Sequence, residues 1–296
     1  MLQGSKSKAE SNFKNLPDSH FYAVVDGAAL PEVRHRLWQD NPQHCCLWSG
    51  KLPPDLEQVA PYLIHLPQQT AFSDWLLEMA SRSDCAVFIK SQDKVSITQL
   101  RKSLRKHLLV NDSEGNTLVF RFYDPRVLGC FIDIASQEQR NQLFENIDRY
   151  ILIQQETLET YHNQTVLSAS HSGKGRMMIT TEQMQKMDLS ALDNYLTQLV
   201  EDIQAVYPDH FLNETDEALK ERFRLCIAKA EEFNIVGRTD LFEYCSLCIQ
   251  WGDDFCGPDG LIWAKNIVED PFITDGAARV TLLIQAGAEY RAQLNI

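Results

Sequence analysis

The alternation of apolar and polar positions divides the chain into two parts. In the first part, short apolar runs bounded by turn residues indicate buried strands. These runs lie at residues 21–28, 45–48, 61–66, 84–90 and 118–123. Helical spacing of apolar residues predicts helices at 30–38, 70–82, 96–108 and from 125 onward. Strands that alternate with helices at this spacing predict an α/β N-terminal lobe, a mixed sheet with flanking helices.

Helix-start signals support these assignments. Ser96-x-x-Gln99 and Thr180-x-x-Gln183 have the residues of a capping box, in which the two side chains satisfy each other's free backbone N–H groups. Asp124 followed by Pro125 is typical of an N-cap and a first helical residue.

The second part of the chain has helical periodicity throughout. An amphipathic stripe extends from Met184 to Val206, and further helices are predicted at 217–233, 239–251, 261–268 and 277–288. The Ser- and Gly-rich stretch before them is typical of a linker. We therefore predict a flexible leader (1–19), the α/β lobe (20–163), a linker (164–178) and an all-α C-terminal lobe (179–296).

The charge of the chain is concentrated in the helical lobe. The whole sequence has 28 basic and 41 acidic residues, a net charge of −13. Residues 179–296 contain 9 basic and 21 acidic residues, whereas residues 1–178 are close to neutral. Such a balance argues against nucleic acid or an anionic membrane as a partner.

The sequence indicates a protein of a reducing compartment. Residues 1–14 lack the apolar segment of a secretory signal, and no apolar run approaches the length of a membrane span. Eight cysteines in a chain of 296 residues are most simply buried free thiols. We therefore expect a cytoplasmic location and no membrane insertion.

Patterns with known chemistry are weak in this sequence. Cys245-x-x-Cys248, with Cys256 nearby, lacks the further ligands of a zinc site and shares a helical face with apolar residues, which favours a core position. The serine-hydrolase elbow and the phosphate-binding P-loop are both missing. We therefore predict no catalytic residue, no cofactor and no metal.

A basic helix face has two interpretations. Arg101, Lys102, Arg105, Lys106 and His107 cluster within residues 101–107. A solvated surface is the simpler interpretation, and a contact with an acidic protein or with the acidic lobe is the alternative.

The most distinctive segment is residues 118–128, which contains Arg121, Asp124 and Arg126. An aromatic strand would bring Arg121 and the capping Asp124 to one corner, with Arg126 in the first turn of the next helix. The Asp124 carboxylate can cap that helix while it binds an arginine through both oxygens. This arrangement favours a structural clamp over a catalytic site.

Four segments together resemble the family of type VI secretion effector adaptors, or adaptor chaperones. They are Tyr-x-x-x-Asp-Gly-Ala at 22–28, Ala-Pro-Tyr-Leu at 60–63, the apolar helix end at 104–109, and Arg-Phe-Tyr-Asp-Pro-Arg at 121–126. The resemblance covers about residues 20–150, and Trp251-Gly252-x-x-Phe255 is its weaker counterpart in the helical remainder.

The resemblance implies a bacterial cytoplasmic protein without enzymatic activity. Such adaptors bind a cognate toxic effector, usually through the effector's N-terminal region, and help to load it onto the valine-glycine-repeat spike. It also implies that the motif positions define the fold of the N-terminal lobe; these are Asp26, Tyr62, Arg121, Asp124 and Arg126.

The more divergent helical lobe is then the expected cargo-binding part. Trp251, Phe255 and Trp263 are candidate anchors for an amphipathic helix, although large aromatic residues are more often core. Asp253 and Asp254 could form an acidic rim that selects a basic cargo segment.

Two alternatives remain at this point. A small-molecule hydrolase or transferase could have its site in the cleft between the lobes, with Asp26, Arg121, Asp124 and His162 as the residues to test. A structural subunit is less attractive, because the sequence has no repeat and no heptad pattern.

Overall fold

The chain forms two compact units, Met1–Ala191 and Leu192–Ile296. The computed structural model describes residues 7–8, 18–154, 157–163, 175–211 and 214–294. Most of the predicted leader and residues 164–174 of the predicted linker lie outside this part. The N-terminal unit extends beyond the predicted lobe end at 163, because Met184 and Met187 pack against its core.

Nine strands and six complete helices are described in the N-terminal unit. The strands are β1 (Ser7–Lys8), β2 (Phe21–Asp26), β3 (His44–Cys46), β4 (Pro61–His65), β5 (Ala86–Ser91), β6 (Leu109–Asn111), β7 (Thr117–Val119), β8 (Ile147–Gln154) and β9 (Thr157–His162). The helices are α1 (Val33–Asp40), α2 (Pro54–Gln58), α3 (Ala71–Arg82), α4 (Ile97–Arg105), α5 (Pro125–Ile134) and α6 (Gln137–Leu143).

Seven of the strands form one sheet in the order β1-β9-β8-β5-β2-β4-β3, and β6 and β7 form a separate hairpin. All the strand pairs of the large sheet are antiparallel. The central strand β2 pairs Val24 with Leu63 of β4 on one side and with Val87 of β5 on the other. The predicted sheet with flanking helices is confirmed, as is the all-helical C-terminal part.

The central strands are apolar along most of their length because helices cover both faces of the sheet. Tyr22 and Val24 of β2 point into a core with Leu104 of α4 and Phe131 of α5. The alternate residues of β2, such as Val25, point into the opposite core with α1 and α3. Each fully buried side chain of this size stabilises the fold by about 2 kcal/mol.

The strand predicted at 118–123 ends early. β7 stops at Val119, and Asp124 N donates to the Arg121 carbonyl (2.9 Å) in a turn. Phe120, Phe122 and Tyr123 are all buried. A strand would send the neighbours Phe122 and Tyr123 to opposite faces, whereas both pack into the same core, so the chain turns there. Six described elements have no counterpart in the predicted ones: β1, which lies within the predicted leader, and β6, β8, β9, α2 and α6.

The predicted helix caps are confirmed. Gln99 N donates to Ser96 Oγ (3.3 Å), and Ser96 N donates to Gln99 Oε1 (2.9 Å). At the start of α7 (Thr181–Val206), Gln183 N donates to Thr180 Oγ1 (3.2 Å). The Gln183 side chain also exchanges hydrogen bonds with Gln139 at 2.8 and 3.0 Å, which fixes the start of α7 to the N-terminal unit.

In its described residues, the C-terminal unit contains the rest of α7 and four further helices. These are α8 (Asp216–Glu232), α9 (Arg238–Trp251), α10 (Ile262–Val268) and α11 (Gly276–Leu294). Their core includes Leu199, Phe223, Tyr244 and Leu283. Among the described residues, no helix combines the length and the apolar character that crossing a membrane requires.

Candidate functional site

Asp26, at the end of β2, is the centre of the motif residues of the N-terminal unit. It is 2% exposed, and one carboxylate oxygen accepts a hydrogen bond from the Arg121 guanidinium. The other oxygen accepts from Ala28 N at 2.9 Å, which closes the turn after the strand. Burial opposes the positive charge of Arg121, but the contact with Asp26 raises the pKa of Arg121 above its ordinary value.

Gly27 follows Asp26 because the chain passes close to another backbone segment there. Gly27 N donates to the Ala60 carbonyl at 3.1 Å. A Cβ at this position would lie 2.4 Å from the Gln58 carbonyl oxygen and 2.6 Å from that of Ala60. The Asp-Gly-Ala motif therefore fits one turn packed against the loop before β4.

Tyr62, on β4, contacts α2 near the same loop. It is 7% exposed, and its hydroxyl donates to the Glu57 carbonyl at 2.6 Å. Burial raises the pKa of Tyr62, so the phenol stays protonated and can donate this bond. Tyr62 thereby joins α2 to the sheet.

Asp124 caps α5 and binds Arg126 at the same time. Its Oδ1 accepts from Arg126 N (3.0 Å) and from Arg126 Nε (3.0 Å), and its Oδ2 accepts from Arg126 Nη2 (2.8 Å). The predicted combination of a cap and a bidentate pair is confirmed, with Arg126 as the arginine. Arg126 Nε also lies 3.4 Å from Asp84 Oδ2. Burial raises the pKa of Asp84, while Arg126 opposes that change.

Two arginine–carboxylate pairs therefore lie in one corner of the N-terminal unit. Asp26 binds Arg121, Asp124 binds Arg126, and the charges of Asp26 and Asp124 act on both arginines. Each of these side chains holds a turn or a helix start in place. Tyr62 acts on a different contact, and His162 lies at the end of β9.

The basic face of α4 is largely occupied by internal contacts. Arg101 donates to the carbonyls of Cys46 (2.8 Å) and Trp48 (3.2 Å), so it fixes the end of β3. Lys106 pairs with Glu145 at 2.5 Å. His107 is buried, at 3% exposed. Neither interpretation of this face allowed for these internal roles.

In the C-terminal unit, the two candidate rim acids are bound to basic residues of α8. Arg222 forms a bidentate pair with Asp253, through Nε–Oδ2 (2.9 Å) and Nη2–Oδ1 (2.8 Å). Lys229 Nζ lies 2.8 Å from Asp254 Oδ1. A charge reversal at Asp253 would break this internal pair, so it would test stability as well as binding.

We expect Arg222→Ala to destabilise the C-terminal unit by about 1–2 kcal/mol, because the pair is bidentate and only partly exposed. Arg222 also lies over the rings of Phe211 and Phe223 at 5.9 Å. Lys229→Ala is the control: it removes a more exposed ion pair with Asp254 and a hydrogen bond to the Asp253 carbonyl, and it should cost about 0.5 kcal/mol or less. Urea unfolding measures both values, and equal losses would show that the bidentate geometry adds nothing.

The three candidate aromatic anchors form part of the packing between α9, α10 and α11. Phe255 is 2% exposed. Trp251 and Trp263 are half-buried, with ring centroids 5.9 Å apart, and both contact the ring of Tyr290. A Cβ at Gly287 would lie 3.2 Å from Trp251 Nε1. These residues are placed as core and helix-packing residues.

The Cys-x-x-Cys motif lies in the core, as predicted. Cys245 and Cys248 are fully buried, Cys256 is 6% exposed, and all three are free thiols. Burial raises the pKa of Cys245 far above its ordinary value, so its thiol stays protonated. Within the described residues, no group of three or more His, Cys, Asp or Glu side chains could hold a metal ion.

A groove between α7 and α9 has no counterpart among the site residues predicted from the sequence. Its volume is about 540 Å³, and it lies wholly within Leu192–Ile296. Its lining residues are Tyr195, Gln198, Leu199, Asp202, Ala205, Val206, Arg238, Thr239 and Phe242. The sequence indicates the groove only through the apolar stripe of α7, which continues past Leu199 to Val206. In the structure Leu199 is buried, but Val206 is 57% exposed.

Comparison with known proteins gives one match. No curated protein and no solved structure matches the chain. Residues 21–142 match the model of a family described as "Domain of unknown function (DUF4123)". The match includes Asp26, Tyr62, Arg121, Asp124 and Arg126. The matched segment is similar to this domain, which is associated with effector adaptors of type VI secretion.

Proposed function

We propose that this protein is a non-enzymatic adaptor chaperone of a bacterial type VI secretion system. It binds a cognate toxic effector in the cytoplasm, through the N-terminal region of the effector, and helps to load it onto the valine-glycine-repeat spike. The observation that carries this proposal is the domain match over residues 21–142.

The geometry of the motif residues supports a binding role. The most distinctive titratable groups of the matched domain, Asp26 and Asp124, are almost fully buried and each binds an arginine. A carboxylate held in this way stabilises a turn or a helix start, and both of its oxygens accept hydrogen bonds from the chain itself. This use of the motif favours a scaffold that presents a surface.

Co-expression tests the proposal. The full chain, with an affinity tag, is expressed together with the toxin encoded next to its gene, and the purified material is analysed by light scattering. We expect a stable complex that an N-terminally truncated toxin does not form. Addition of the cognate spike protein should then give a ternary complex.

Failure to recover the toxin at both low and moderate salt would contradict the proposal. The enzyme alternative predicts a different result: Asp26→Ala or His162→Ala would abolish a turnover activity while leaving the thermal unfolding transition unchanged.

A further inference from the structure

We propose that the groove between α7 and α9 is the docking site for an amphipathic α-helix of a partner protein whose apolar stripe is bordered by lysines or arginines. This inference rests on the proposed adaptor function, and it specifies where and what the adaptor would bind.

The two helices that form the groove run side by side in the same direction. The Tyr195 hydroxyl donates to the Arg238 carbonyl at 3.2 Å, and Gln250 Nε2 donates to the Tyr207 hydroxyl at 3.0 Å. Both contacts are twelve residues apart on each helix, or about 18 Å at the rise of an α-helix. The groove is therefore about three turns long, which suits a helix that anchors through residues i, i+3 or i+4, and i+7.

The groove offers an apolar floor and an unburied apolar wall. Leu199 is buried at its base, and Phe242 and Tyr195 are half-buried beside it. Val206 is 57% exposed at one end, next to the exposed Ala205. A docked apolar side chain would remove this surface from water, and that removal is the main driving force of helix-in-groove binding.

The charge around the groove selects the partner. The Asp202 carboxylate lines the groove and accepts one hydrogen bond from Gln198 Nε2, at 3.0 Å. Unlike Asp253 and Asp254, neither Asp202 nor its neighbour Glu201 has an ion pair among the described residues. The unit Leu192–Ile296 has 8 basic and 19 acidic residues, a net charge of −11. A basic border on the incoming helix complements this field.

At one end of the groove the charge is positive. The Arg238 guanidinium lies over the Tyr195 ring, 5.4 Å from its centroid, and has no carboxylate partner in the part of the chain that the structure describes. Burial raises the pKa of Tyr195 to about 12, so its hydroxyl remains a donor to the α9 backbone and holds this end together. The lysines or arginines of the partner helix are therefore expected beside Asp202 and Glu201.

Binding of two designed peptides to the full-length protein tests the site. Both are amphipathic helices of about five turns with the same leucine stripe, one bordered by lysines and the other by glutamates. Fluorescence anisotropy at moderate salt should show that the lysine peptide binds at least about ten-fold more tightly. Equal binding of the two peptides would overturn the charge selection.

Matched variants locate the binding. Val206→Glu should lower the affinity for the lysine peptide about ten-fold. Leu225→Glu, at a similarly exposed residue (59%) of α8 outside the groove, should change this affinity less than about two-fold. Asp202→Lys should weaken binding of the lysine peptide and strengthen binding of the glutamate peptide. Asp209→Lys makes the same change in net charge outside the groove, and it should leave the binding of both peptides unchanged. Equal effects within each pair would overturn the proposal, because the binding would then follow overall hydrophobicity or charge.

Purification with the toxin separates this inference from the proposed function. Loss of the toxin from Val206→Glu but not from Leu225→Glu would support both. If wild type and Val206→Glu retain the toxin equally, the adaptor function stands and the groove is not its docking site. If the lysine peptide binds at the groove but the toxin never co-purifies, the groove stands and the proposed function fails.

Discussion

Replacing Arg121 with alanine should lower the free energy of unfolding of the N-terminal unit by about 2–3 kcal/mol. The variant leaves the Asp26 carboxylate buried without its ion-pair partner, and a buried ion pair that loses one partner typically costs 3–5 kcal/mol. The expected value lies below that range because the Arg121 side chain is 48% exposed, so water already screens part of the interaction. Urea unfolding followed by circular dichroism measures the loss.

A surface pair provides the control. Arg82 and Glu78 are 2.8 Å apart on α3, both well exposed, so Arg82→Ala should cost about 0.5 kcal/mol or less. Asp26→Asn combined with Arg121→Ala should recover part of the loss, because the amide oxygen can still accept from Ala28 N while the buried charge is removed. The interpretation of this pair as a clamp fails if Arg121→Ala costs no more than Arg82→Ala.

Acidification should destabilise the N-terminal unit through His107. Burial lowers the pKa of His107 to about 4, although the charge of Glu145 opposes the change and that of Lys106 adds to it. The unfolded chain, with an ordinary histidine pKa near 6.5, therefore binds a proton between about pH 6.5 and 4 that the folded state does not bind. Stability falls as the pH falls through this window, by about 2–3 kcal/mol at pH 4.5 relative to pH 7.

The variant His107→Leu removes this contribution. The difference between its free energies of unfolding at pH 7 and pH 4.5 should be about 2–3 kcal/mol smaller than that of the wild type. Phe122→Leu is the matched control, because Phe122 contacts the His107 ring in the same core but does not titrate. It should lower stability by the same amount at both pH values. An unchanged pH dependence in His107→Leu would show that His107 is not the group responsible.

Sequence patterns predicted correctly those elements that depend on residues close together in the chain. The apolar run of β2 and the capping boxes at Ser96 and Thr180 depend on residues within a few positions, and all are present as predicted. The capping box at Ser136 and Gln139 carries the same signal and could have located α6. β9 has a half-exposed pattern with polar residues, and such a strand is defined by its partner β8 more than by its own composition.

Within the candidate site, only the contacts between residues close together in the sequence could be predicted. Asp124 and Arg126 are two residues apart, so their pairing followed from the start of one helix. Arg121 binds Asp26, which is 95 residues away, and the arrangement of β2 and the turn before α5 decides that contact. The same limit applies to Arg222 with Asp253, and to the groove, which needs two helices to be placed side by side.

The pairing of β5 with β8 makes the family-matched segment an incomplete folding unit. β5 is apolar along most of its length and is paired on one edge by β2 and on the other by β8. A polypeptide that stopped at residue 142 would present that second edge, with its free N–H and C=O groups, to any other chain. During synthesis this open edge persists until residue 154 leaves the ribosome, so aggregation of the nascent chain competes with folding until β8 is added.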